Sequence, residues 1–173
     1  YQEQKQRIEY EEKIDDYEEF LKNMDIQVEI KEADDFTIPR ISQLTLKTNQ
    51  FNVTTRRYQE KEIFSFSQDK NSVIQCAKVK DKFGDNGITG VYIIKKDEKE
   101  WIIDTFLLSC RIIGRGVENA LLSEIINRAK KEGIKKVKGV FIPTKKINQQ
   151  KNFLKNLGLK KKMSIGFLIL SKQ

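Results

Sequence analysis

Between Asp104 and Gly116 the chain gathers the residue types that thiol and phosphate chemistry require. There is a carboxylate at Asp104, a thiol at Cys110, arginines at Arg111 and Arg115, and glycines at Gly114 and Gly116. Two glycines just before a helix let a phosphate reach bare backbone N–H groups, and the arginines add positive charge beside it. If period-two alternation runs from Asp104 through Phe106 and Leu108 to Cys110, the carboxylate and the thiol share one face of a strand. The chain contains no histidine, so proton transfer must use Asp, Glu, Tyr, Lys, water or the substrate itself. A cysteine nucleophile lacking a histidine partner needs positive surroundings, which a helix N-terminus and two arginines supply. The competing readings are that Cys110 is a small packing residue where the strand leaves the sheet, that Asp104 is a hydrogen-bonded structural carboxylate, and that the glycines only permit a sharp turn.

The elements that must position these groups are legible on either side. Residues from Trp101 form a near-continuous apolar run, interrupted at Asp104 and Ser109, which suits a strand buried on both faces. From Val117 the apolar residues Ala120, Leu121, Leu122, Ile125, Ile126 and Ala129 recur at helical spacing. The unit is therefore strand, glycine turn, helix, and the first N–H groups of that helix point at whatever occupies the turn.

Composition bounds the setting. A chain of 173 residues with 38% hydrophobic and 34% charged residues is read as one globular domain, expected in the cytoplasm and with no membrane-spanning segment. Two cysteines, Cys76 and Cys110, without any histidine, make neither a disulfide framework nor a metal site, so no metal is expected. The net charge of +8 is concentrated late, at Lys130-Lys131, Lys135-Lys136, Lys145-Lys146 and Lys160 to Lys162. These runs read first as solvated surface and second as a surface for an acidic partner. Nucleic acid is not the expected partner, because no aromatic stacking residues interleave the lysines.

In chain order, residues 1–23 read as a charged connector helix and 24–173 as the domain proper. Alternation over Met24–Ala33 predicts a half-buried strand, and Pro39 with Asp34 and Thr37 predicts a helix from about Ile38 to Leu46. The polar stretch Lys47–Tyr58 reads as a loop. A helix over Gln59–Phe66 is followed by an alternating strand over Ser72–Lys80, in which Cys76 is a core thiol. Asn86-Gly87 predicts a hairpin turn, and Ile88–Lys95 the returning strand. After the glycine-turn helix come a strand over Lys135–Ile142, parallel to the central one, a short helix over Asn148–Asn156, and strands over Leu159–Met163 and Ile165–Leu170.

Arg111-Ile112-Ile113-Gly114-Arg115-Gly116 resembles the R/Q-x-x-G-x-G/A signature of the GNAT superfamily of acyltransferases. More narrowly, DDFTIPRISQLTLKTNQFNVTTRRY, VKDKFGDNGITGV and WIIDTFLLSCRIIGRGVENALL resemble the C-terminal region of FkbH-like proteins. This resemblance implies a GNAT-like α/β fold, a twisted, mostly antiparallel mixed sheet that splays beside the central strand, with helices on both faces. It implies coenzyme A, or the phosphopantetheine of an acyl carrier protein, held by Leu108, Ser109, Arg111, Ile112, Ile113, Gly114, Arg115, Gly116, Val117 and Asn148. Asn49, Gln50, Asn52, Thr54 and Arg56 become candidates for gripping a hydroxylated acyl group, with Arg40 and Arg57 as weaker ones. Cys110 and Asp104 become the catalytic candidates. The family is associated with glyceryl-carrier-protein thioesters, which implies a carrier-protein partner and an adjoining HAD-type domain in a longer parent; the start at Tyr1 fits that expectation. The sequence departs from many GNAT enzymes in carrying Leu154 where a tyrosine serves as general acid, and Leu159 in place of a phenylalanine. Those departures argue against ordinary amine acetylation and keep open a non-catalytic carrier-docking module.

Overall fold

A computed structural model describes residues 2–11, 17–141 and 166–171. Its centre is a six-stranded sheet in sequential order, comprising β1 (Gln27–Glu32), β2 (Ser72–Asp81), β3 (Gly84–Lys96), β4 (Glu100–Leu108), β5 (Lys136–Phe141) and β6 (Gly166–Ser171). The first four strands are antiparallel neighbours, while β4 with β5 and β5 with β6 are parallel. The expected mixed α/β sheet, antiparallel through its first half, is therefore what the chain builds. Helices α1 (Gln2–Glu11) and α2 (Tyr17–Asn23) precede the sheet, α3 (Ile38–Lys47) and α4 (Glu60–Gln68) connect β1 to β2, and α5 (Val117–Lys131) crosses from β4 to β5.

Alternation along β2 sorts the core into two layers. Val73, Ala77 and Val79 face the cluster that takes in Leu121, Ile125 and Ala129 of α5, with Tyr92, Trp101 and Phe106. Ile74 and Cys76 face the other way, into a cluster with Ile38, Ile41 and Leu44 of α3 and Ile63 of α4. The helices thus cover opposite faces, as an antiparallel sheet with two apolar faces demands. Burial pushes the Cys76 thiol above its ordinary pKa, which suits a core thiol. Pro39 lies in the first turn of α3, where its missing N–H costs nothing.

Two local expectations are corrected. The hairpin between β2 and β3 turns at Lys82-Phe83, since Asp81 already pairs with Gly84. The Asp81 carboxylate organises that turn, accepting from the backbone N–H groups of Phe83 at 3.0 Å and Gly84 at 3.2 Å. Asn86 instead lies opposite a register shift, because Val79 pairs with Gly87 and Lys80 with Asp85, and Gly87 takes φ 67° at that bulge. The second correction concerns β4. Ile94 pairs with Ile103 and Ile93 with Thr105, so Asp104 is the extra residue of a bulge. Alternation breaks there, and Phe106 and Leu108 join the α5-facing cluster with Ile103. Asp104, Phe106, Leu108 and Cys110 therefore do not form one row.

β4 is also shorter than its apolar run. It ends at Leu108, leaving Ser109 and Cys110 in the turn. Only Glu100–Ile103 pair with β5, so the sheet opens beside the second half of β4. The segment Phe51–Val53 occupies that opened edge. Leu108 N–H donates to Phe51 O at 3.0 Å and Val53 N–H to Phe106 O at 3.1 Å, with Asn52 opposite Leu107. The predicted helix over Asn148–Asn156, the strand over Leu159–Met163, and residues Asn148, Leu154 and Leu159 lie outside the described residues.

Candidate functional site

The glycine turn takes the form that its sequence demands. Gly114 has φ 77° and Gly116 φ 80°, both in the left-handed region where a side chain is strained. Gly116 is the N-cap of α5, and a Cβ built on it meets nothing within 4 Å. The backbone there faces open space. Ile112 and Val117 are buried and anchor the turn to the α5-facing core, with Ile113 packed against it.

One residue of this turn was missed at the sequence level. Glu118, in the first turn of α5, has its carboxylate directed back at the cradle. Burial raises its pKa, and the backbone N–H groups of Glu118, Gly116 and Gly114 pull the other way by favouring the charged form. Its Oε2 is buried without a hydrogen-bond partner. The signal available in the sequence was an acid two residues beyond the second glycine, at a position where helix first turns favour acids for the dipole alone.

The two arginines of the turn diverge. Arg115 turns inward, its Nη1 3.7 Å from Asp81 Oδ2 and its guanidinium 5.9 Å from the Phe20 ring. It buttresses the β2–β3 hairpin, so it does not add its charge to the outer side of the turn as expected. Arg111 is exposed and lines a cleft of about 730 Å³ together with Ser109, Cys110, Arg40, Gln43, Lys47, Asn49 and Gln50. This cleft lies between α3 and the end of β4. Cys110 is a free, exposed thiol there.

The loop candidates split between this cleft and the sheet. Asn49 and Gln50 line the cleft. Asn52 and Thr54 are buried at 0% and 1% exposure, within the segment beside β4. Asn52 Oδ1 accepts from Thr55 N–H at 3.0 Å and thereby holds Thr55 at φ 54°, a strained conformation for a β-branched residue. Asn52 Nδ2 and Thr54 Oγ1 have no hydrogen-bond partner. Arg56 pairs with Asp104. Arg57 donates to the carbonyls of Thr45 and Thr48 and to Asn49 Oδ1, closing the C-terminus of α3.

Asp104 is fully committed. At 3% exposure its carboxylate accepts from Tyr58 Oη at 2.7 Å, from Thr105 Oγ1 at 3.0 Å and from Arg56. Burial raises the Tyr58 pKa, with Arg56 opposing. Asp104 stands four residues before the end of β4, roughly 13 Å from the turn at strand spacing. The arrangement separates the expected carboxylate–thiol pair, tying the first to the Phe51–Tyr58 loop and placing the second in the cleft.

Among the described residues no group of three or more His, Cys, Asp or Glu is placed to hold a metal ion, and no helix is long and apolar enough to cross a membrane. No protein-family model and no curated protein matches the chain. Solved structures do. An acetyltransferase of the GNAT family from Staphylococcus aureus MU50 superimposes with a TM-score of 0.58 at 13% identity, covering 76% of this chain and 84% of that one. A ribosomal-protein-alanine N-acetyltransferase from Brucella melitensis biovar Abortus 2308 gives 0.57 at 14% identity, covering 75% and 90%. Rv2747 from Mycobacterium tuberculosis, in complex with CoA, gives 0.50 at 14% identity, and the alignment spans 63% of this chain and 61% of that protein. The chain shares the fold of the two acetyltransferases and of Rv2747.

Proposed function

We propose that this chain is an acyltransferase domain whose Gly114–Gly116 turn holds the diphosphate of coenzyme A or of a carrier protein's phosphopantetheine. The observation that carries the reading is the glycine turn itself. Left-handed glycines leave open space beside Gly116, and the backbone N–H groups of Gly114, Gly116 and Glu118 already favour a negative charge, that of Glu118. The CoA bound to Rv2747 supports CoA as the ligand on a shared fold. The finer reading, a glyceryl-handling half of an FkbH-like enzyme with an acyl carrier protein and an adjoining HAD-type domain as partners, rests on the sequence resemblance.

Cys110 is the proposed carrier of the acyl group, since it is the free thiol exposed in the cleft beside Arg111. Its sulfur attacks the acyl carbonyl, forms a thioester and expels the donor's leaving group; the pantetheine thiol then takes the acyl by thioester exchange, restoring Cys110. Intact mass of protein incubated with acyl donor should show the acyl adduct on the parent, none on Cys110→Ala, and an ester at most on Cys110→Ser. Unaltered transfer rates in both variants would assign the sulfur a structural role.

A second reading, a carrier-docking module without catalysis, is favoured by one observation. The buried Asp104 already accepts from both the half-buried Tyr58 phenol and Arg56, which leaves this acid and phenol bonded to each other. Calorimetry separates binding from its absence. Gly116→Ala adds one methyl in front of the α5 amides, at a cost of about 1–2 kcal/mol for left-handed backbone. It should abolish CoA and carrier-protein binding while the circular dichroism spectrum stays that of the parent. A folded variant with parental affinity overturns the cradle.

A further inference from the structure

We infer that the cleft between α3 and the end of β4 is a second anion site, in which Arg40 and Arg111 clamp the carboxylate or phosphate headgroup of the ligand that meets the acyl group. The inference deepens the acyl-transfer reading, on which the role of that ligand rests. The site borrows Ser109, Cys110 and Arg111 from the start of the turn but is distinct from the Gly114–Gly116 cradle. Gly114 and Gly116 do not line the cleft, and α3 covers the face of the sheet opposite to α5.

Three cations, Arg40, Lys47 and Arg111, line this cleft, and among the described residues its lining contains no Asp or Glu. Arg40 is half-buried and fixed, its Nε donating to Ile88 O at 3.2 Å and its Nη1 to Gln43 Oε1. Its remaining N–H donors are left for a ligand. Burial holds the Arg40 guanidinium below its ordinary pKa, and the charge of Arg111 pushes it further the same way. Two like charges held close without a carboxylate between them are stabilised by an anion that both can reach, and the guanidinium fork matches the two oxygens of a carboxylate or phosphate. Gln43, Asn49 and Gln50 add neutral donors and acceptors around that point, and Cys110 lines the same cleft, so the bound headgroup lies beside the thiol.

The test titrates the intact chain with a matched set, glycerol 3-phosphate, glycerate and glycerol, following chemical shifts of the cleft residues by NMR, with and without CoA. The charged probes should bind at least about tenfold tighter than glycerol, and the order of the two identifies phosphate or carboxylate as the preferred headgroup. Arg40→Gln and Arg111→Gln should each weaken the charged probes by about tenfold or more and leave glycerol unchanged. Lys70→Gln, an exposed charge after α4, should alter nothing. Arg111 is exposed, so its variant separates loss of the site from loss of the fold. Equal binding of all three probes, or parental affinity in the Arg111 variant, overturns the clamp. A chain that binds the charged probes but not CoA sinks the acyl-transfer reading and leaves this site; one that binds CoA but not the probes does the reverse.

Discussion

Glu118 sets how much of the glycine turn's polarity is left for a ligand. A buried carboxylate is penalised in its charged form, and the three nearby N–H groups offset that penalty only in part, since the net pKa direction is upward. The folded state therefore binds this proton more tightly than the unfolded one. Below the unfolded value, near 4.5, both states are protonated and the penalty is absent. As the pH rises through the raised folded value the carboxylate must ionise in place, and stability is lost. Glu118→Gln should then stabilise the chain by about 1 kcal/mol at neutral pH and by nothing near pH 4, as read from denaturant midpoints at both. The same substitution removes a negative charge from the diphosphate's path and should tighten CoA binding at pH 7. A variant whose midpoint gain is independent of pH, or whose CoA affinity falls, would mean that the carboxylate accepts these amides as a true cap and belongs there.

The elements hold the turn in place by close packing as well as by backbone bonds. Ala77, Gly90 and Leu108 form one row across β2, β3 and β4, directly under α5. A Cβ on Gly90 would lie 3.0 Å from Leu121 Cδ1 and 3.2 Å from Ala77 Cβ and Leu108 Cδ2. Gly90→Val should therefore lift α5 and cost about 1–3 kcal/mol, a fall of some degrees in Tm by calorimetry, and weaken CoA binding through the displaced turn. A parental Tm would show that α5 has slack to give. This row illustrates what the sequence discloses and what it does not. Strand β2, helix α5 and the glycine turn were readable because alternation, helical spacing and two glycines are local signals. The bulge at Asp104 was not, because an extra residue shows only against the register of the neighbouring strand. Nor was the true turn at Lys82-Phe83, where the Asp81 side chain prevails over an Asn-Gly pair that serves a bulge. The pairing of Phe51–Val53 with β4 was equally hidden, since a polar loop gives no period; its signal lies in Phe51 and Val53 alternating around Asn52, too short to count by itself. That pairing matters to function. It fills the backbone edge at Phe106 and Leu108, so an extended ligand reaching the end of β4 must run past this segment or replace it.

At the scale of the whole molecule, part of the excess positive charge stands at one end of α5. Lys130, Lys131 and Lys135 are exposed around the C-terminal end of α5, whereas neighbouring cations are drawn into pairs. Lys96 reaches Glu132 at 2.7 Å, Arg128 reaches Glu32 at 2.8 Å, and Lys138 pairs with Glu100. Surface pairs of this kind contribute little stability, but they leave a field set by the unpaired lysines and by the chain's net charge of +8. An acidic carrier protein would be steered by such a field, with the gain confined to the association rate. Stopped-flow binding of carrier protein should show an on-rate that falls steeply with salt, as the screening length shortens from about 10 Å at 0.1 M to about 3 Å at 1 M. Charge reversal at Lys130 and Lys131 together should lower that on-rate several-fold with the off-rate unchanged, because neither residue need touch the partner to attract it. Duplex DNA carries the opposite charge as well, and aromatic stacking is not what it requires, so it is the decisive competitor. If DNA bound as tightly as the carrier and with as steep a salt dependence, the lysines would be a nucleic-acid surface; a carrier whose off-rate, and not its on-rate, responded to the reversal would place them inside the contact itself.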